Sequence, residues 1–106
     1  MIIKSDLERL IDICCKELEI NIEDFYGNKR TRKHVDARRI FFYILKSHHK
    51  ISEHFTSKLT SNIRNRTTIM YLNEHTEFYL KSDEKLIKLY KSIYENYTKI
   101  CYEQKK

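Results

Sequence analysis

Asn62-Ile63-Arg64-Asn65-Arg66-Thr67-Thr68-Ile69-Met70-Tyr71-Leu72 reads as the end of a turn followed by the first turns of a helix. A helix start offers unpaired backbone N–H groups and a partial positive charge. Here it also carries arginines and two hydroxyls, a combination that suits phosphate. Ile69, Leu72, Thr76 and Tyr79 recur at helical spacing, so one face is expected in the core while Asn65, Arg66 and Thr67 lead with exposed tips. Upstream, Ser52 can cap a short helix with Glu53 in its first turn, predicted to turn Phe55 and Leu59 inward. Thr60-Ser61-Asn62-Ile63 then makes a tight turn. Two short helices joined in this way predict a helix-turn-helix over about 52–80, whose second helix would lie in a major groove.

The remaining punctuation is that of an all-helical chain. With no proline and Gly27 as the one glycine in 106 residues, the turns that hairpins need are missing. The length is that of a single domain with one core. Cys14, Cys15 and Cys101 have no metal-ligand spacing, and their odd number argues against a disulfide framework. Reduced thiols in a cytoplasm are therefore expected. No signal-peptide succession opens the chain and no apolar run is long enough to span a bilayer, so no membrane association is expected. Histidines, cysteines and carboxylates show no metal, triad or paired-acid spacing, so neither an enzyme, a cofactor nor a metal site is predicted.

The net charge of +6 is unevenly placed. Residues 1–28 set Lys4, Arg9 and Lys16 against Asp6, Glu8, Asp12, Glu17, Glu19, Glu23 and Asp24. Residues 29–39 then set Lys29, Arg30, Arg32, Lys33, Arg38 and Arg39 against Asp36 alone. A basic excess concentrated in so short a stretch is the footprint of a polyanion partner. The run Lys29-Arg30-Thr31-Arg32-Lys33 has no apolar residue to bury and is expected as a basic loop over 28–34. Such a loop can touch the DNA backbone, and an arginine in it can enter a narrow minor groove.

Around these features the other helices are read from spacing. Ser5 and Glu8 form a capping-box pattern ahead of Leu7, Leu10, Ile11, Cys14 and Leu18, which predicts a first helix from about Asp6 to Glu19. Cys14 is expected to pack in the core, where a free cysteine behaves as a small hydrophobe. Asn21 caps a short helix holding Ile22 and Phe25, stopped by Gly27 and Asn28. Helix three, about Val35 to His48, carries Ala37, Ile40, Phe41, Ile44 and Leu45 on one face and is the central core helix, widened by Phe42 and Tyr43. Asp36 is expected to pair with Arg39 or the basic loop, and His48 and His49 to serve the helix terminus. A final helix over about 83–104 carries Leu86, Tyr90, Ile93, Tyr97 and Ile100. Their alternation suits packing within the monomer, or a dimer seam.

Taken in order, three features resemble the C-terminal DNA-binding domain of the bacterial chromosomal replication initiator DnaA. They are the basic loop Lys29 to Lys33, the run Val35-Asp36-Ala37-Arg38-Arg39-Ile40-Phe41-Phe42-Tyr43-Ile44-Leu45, and Arg64-Asn65-Arg66-Thr67-Thr68-Ile69-Met70. The resemblance implies a six-helix, Trp-repressor-like helix-turn-helix fold that binds double-stranded DNA in replication or transcription control. It implies an arginine of the basic loop, Arg30 or Arg32, in the minor groove, with Lys29 and Lys33 beside it. It further implies Arg64, Asn65, Arg66, Thr67 and Thr68 at the major groove and its phosphates, one threonine near a thymine methyl and the other near a phosphate. The family's Asp-His pair is Asn65-Arg66 here, and its turn glycines are replaced by Asn62-Ile63 in a turn one residue longer. Asn suits adenine and Arg suits guanine, so base reading stays chemically open. The initiator's ATPase module has no counterpart, since one glycine cannot make a phosphate-binding loop. The expectation is a domain standing alone, or a piece of a longer protein. The alternative is a protein-interaction module that binds a partner or itself through the acidic first helix or the aromatic last one.

Overall fold

A helix with six fully buried apolar positions, Ala37, Ile40, Phe41, Phe42, Ile44 and Leu45, forms the axis of the molecule. The computed structural model describes residues 4–27, 31–59 and 66–104, without the side chains of Lys4, Leu59, Arg66 and residues 100–104. Among the described residues there are six helices and no strand: α1 (Lys4–Leu18), α2 (Ile22–Tyr26), α3 (Arg32–Ser47), α4 (Glu53–Leu59), α5 (Arg66–Tyr79) and α6 (Glu84–Gln104). None is long and apolar enough to cross a membrane.

The apolar stripes meet around α3. From α1 come Leu7, Leu10, Ile11 and Cys14, from α5 Ile69, and from α6 Leu86, Ile93 and Tyr97, all buried. Phe25 of α2 closes the core edge-on against Phe41, with ring centroids 5.3 Å apart, and Phe41 in turn meets Phe42 at 5.2 Å. Edge contacts of this kind add to the burial of the rings themselves. The α6 stripe is thus used inside the chain: its buried members pack with α1 and α3.

Local chemistry moves several boundaries. α1 begins at Lys4, which puts Ser5 inside its first turn rather than at the cap. Asn21 stands at the α2 N-cap, and Ser52 accepts from the Phe55 N–H at 3.2 Å as a cap of α4. The basic loop is shorter than the charge run. Thr31 adopts the extended N-cap conformation (φ −64°, ψ 157°), so α3 starts at Arg32 and takes Arg32, Lys33 and His34 into its first turn. The Thr31 hydroxyl is directed to Nδ1 of His34, one turn on.

On α4 the inward positions differ from expectation. Phe55 stays 36% exposed, whereas Thr56 and Ser57 are buried. α4 packs on α5, and small side chains at the contact let two helices approach, leaving the phenyl ring at the rim. Leu59's side chain lies outside the described residues.

Both cysteines of α1 are free and buried. Burial pushes the Cys14 thiol far above its ordinary range and that of Cys15 up to about 11. Thiols so protonated are poor nucleophiles and poor metal ligands, so they serve as packing.

Candidate nucleic-acid interface

α5 leads with Arg66, and its first turn holds no acidic residue. No acidic side chain of its own first turn therefore offsets the partial positive charge of its leading N–H groups. Ile69, Asn73 and Thr76 are buried and fix the helix on α3 and α4, while Thr67 is exposed and Thr68 half-buried at the leading end. Asn73 is also bonded to Glu53 of α4. The Glu53 carboxyl is held below the usual carboxylate range despite the upward push of burial. Its own backbone N–H, Lys46 at 3.1 Å and Asn73 all stabilise the anion. Beyond the first turn the outward face of α5 changes character: Met70, Tyr71 and Phe78 are exposed among Glu74 and Glu77. The arginine of α5 is thus at its leading end, away from these carboxylates.

The basic segment is fastened at both described ends. Arg38, 3% exposed, points away from solvent. Its Nε donates to the Phe25 carbonyl at 2.9 Å, and its Nη2 to the carbonyls of Asp24 at 2.8 Å and Gly27 at 3.0 Å. It thereby satisfies the C-terminal carbonyls of α2, which a five-residue helix leaves open. At the other end Arg32 donates from Nε to Asp36 at 3.0 Å and from Nη2 to Asp83 at 2.7 Å. Lys33, next to it, is exposed. Asp36 also holds Arg39 at 3.4 Å, and the Arg39 guanidinium lies 5.1 Å from the centre of the Tyr79 ring, a cation–π arrangement.

Of the expected contact residues, Arg32, Lys33, Thr67 and Thr68 can be placed, the first pair opening α3 and the second opening α5. Lys29, Arg30, Arg64 and Asn65 lie outside the described residues, as does the side chain of Arg66. Sequence reading anticipated the partnership of Asp36 with Arg39 but not the roles of Arg38 and Asp83. Arg38 carried a signal: it shares the helical stripe of Phe41 and Leu45, three and seven residues on, so it had to face inward. Asp83 carried only a cap signal, because its partner is 51 residues away.

A recognition-type helix with an acid-free tip, preceded by a short helix and accompanied by a basic segment, is the arrangement of a DNA-binding helix-turn-helix. Residues 7–75 match the family described as the bacterial dnaA protein helix-turn-helix. The chain belongs to this family. The match spans α1 through most of α5, and membership makes the chain a DNA-binding domain of the DnaA C-terminal type. Comparison with curated proteins finds no match. In this DnaA-type domain α6, beyond the matched stretch, completes the core through Leu86, Ile93 and Tyr97.

Proposed function

We propose that this DnaA-type domain binds double-stranded DNA with sequence preference and acts in replication or transcription control in the cytoplasm. The tip of α5 enters the major groove, and the loop ahead of α3 reaches the adjacent minor groove. Asn65 and Arg66 read bases, Thr67 meets a thymine methyl, and Lys33, Arg64 and Thr68 contact phosphates. Arg30 is the loop arginine for the minor groove, with Lys29 beside it, because the guanidinium of Arg32 is taken up by two carboxylates.

One observation carries this reading. The start of α3, where the basic loop ends, is bonded to Asp83 just past the far end of α5. The described start of α3 is therefore tied to the end of α5 opposite its tip, and α5 is about 21 Å long for fourteen residues at about 1.5 Å each. Half of the roughly 34 Å helical repeat of DNA is a similar distance, the offset between neighbouring major and minor grooves.

The test is fluorescence anisotropy with a labelled duplex carrying the initiator's A/T-rich box and a scrambled duplex, each over a salt series. The expected result is tighter binding to one of them, with log affinity falling against log salt at a slope of roughly −4. Absence of binding to both at low salt would sink the reading. It would favour a second one, a protein-interaction module, for which the exposed Tyr71 and Phe78 beside Glu74 and Glu77 supply a surface.

A further inference from the structure

We propose that Asp83 and Asp36 are positioning residues of the DNA interface, and that Arg32 is the strut they hold rather than a contact to DNA. The inference rests on the DNA-binding reading above and assigns what fixes the spacing of its two contact elements.

Asp83 divides its oxygens between two tasks. Oδ1 accepts the backbone N–H groups of Lys85 at 3.1 Å and Leu86 at 3.2 Å, capping α6, and Oδ2 receives Arg32 at 2.7 Å. Asp36 is shared in the same way: Oδ2 receives Arg32 at 3.0 Å and Oδ1 receives Arg39 at 3.4 Å. Arg39 in turn lies over Tyr79, the last residue of α5. Both ends of the turn that leaves α5, Tyr79 and Asp83, are thus tied through one charge network to the residue that opens α3. The opposite end of the loop is fixed where Arg38 holds the Gly27 carbonyl. With these two posts in place, the start of α3 is held at the end of α5 opposite its tip, a rigid helix length away. A planar guanidinium is suited to this role, because its fork can serve two carboxylates at once while an ammonium is a single point charge. Held between two anions, the same group is a poor ligand for a phosphate.

Charge alone predicts the opposite outcome from the strut, which makes the two separable. Asp83→Asn keeps an oxygen for the α6 cap but turns an NH2 toward Arg32, and it removes a negative charge from a surface that meets a polyanion. If Arg32 were a phosphate contact, this change would leave binding unaltered or tighten it. Arg32→Lys would likewise preserve binding, since lysine serves a phosphate as a point charge. The strut predicts that each variant weakens binding to the A/T-rich duplex by about fivefold or more, with the salt slope unchanged in both. The double variant should be no weaker than either single one. Circular dichroism and urea midpoints establish that the variants fold. If Asp83→Asn does not, Arg32→Lys carries the test, since it leaves the cap untouched. A DNA-free readout is the resonance of the Arg32 Nη hydrogens, since Nη2 is the donor to Asp83, expected to exchange slowly in the unaltered chain and rapidly in Asp83→Asn. Failure of the unaltered chain to bind any duplex overturns the DNA-binding reading itself. Binding by the unaltered chain, with equal or tighter binding by both variants, overturns the positioning role alone.

Discussion

The Tyr97 hydroxyl and Nε2 of His49 share a hydrogen bond of 2.6 Å, joining the residues just past α3 to the middle of α6. One residue earlier His48 does the same with the Tyr94 hydroxyl at 3.0 Å. Tyr97 is fully buried, so its ring fills the core and its hydroxyl finds a partner at the rim, the arrangement a buried tyrosine requires. Tyr97→Phe keeps the ring and loses the bond, and is expected to cost about 0.5–1.5 kcal/mol in urea unfolding. Tyr97→Ala removes the ring as well and is expected to cost about 3–5 kcal/mol. Equal losses for the two would show that packing at this site is not what the ring supplies.

Arg38 is the buried cation that three main-chain carbonyls surround. Arg38→Met fits the same stem but gives none of these bonds, and hydrogen bonds to a charged group contribute about 1.5–3 kcal/mol. A loss of that order in chemical denaturation is expected, together with faster amide exchange across α2. Stability within experimental scatter of the unaltered chain would show that the carbonyls are satisfied without the guanidinium.

The acid limb of the stability curve has two named contributors. Asp83 is held below the ordinary carboxylate range first by the Leu86 N–H, against the upward push of burial, and then by Arg32 and the Lys85 N–H. Glu53 is likewise lowered. A carboxyl whose folded pKa is depressed contributes stability that is fully present above its unfolded value, about 3.9 for Asp and 4.3 for Glu, and lost as pH falls through the folded value. Stability should thus be flat in these groups near neutrality and decline only below about pH 4. Circular dichroism across an acid titration of Asp83→Asn with Glu53→Gln should show a shallower decline. An unchanged acid limb would assign the transition to other groups.

The two kinds of proposed DNA contact should respond differently to substitution. Arg66→Ala, at the α5 tip, is expected to cost about 1–3 kcal/mol on the preferred duplex and to relax base preference. Lys33→Ala, exposed on the first turn of α3, should weaken all duplexes alike and make the salt slope shallower by about 0.9. Parallel anisotropy series decide this, and equal losses on every duplex for Arg66→Ala would remove it from the base-reading set.

Local physics made much of the fold legible. The helical class followed from the absence of proline and the single Gly27, and the central helix from Ala37, Ile40, Phe41, Ile44 and Leu45 at one spacing. The helix beginning at Arg66 was marked by cations and hydroxyls ahead of an apolar stripe. Each of these signals lies within a few residues of the structure it specifies. Phe55 was misread because a two-turn helix has too few positions for periodicity to say which side packs.

What tertiary structure alone decided is how the basic stretch is used. Arg32, Lys33, Arg38 and Arg39 look alike as charges in sequence, yet only Lys33 is left as an exposed cation with no carboxylate or carbonyl placed against it among the described contacts. Arg38 turns inward to cap α2, Arg39 joins Asp36 and Tyr79, and Arg32 reaches Asp83 across 51 residues. A cation's partner is set by which anion or carbonyl the packed helices bring within about 3 Å, and no spacing along the chain encodes that. Sequence determined that this is a helical domain of helix-turn-helix type; packing determined which of the described charges are taken up within the fold.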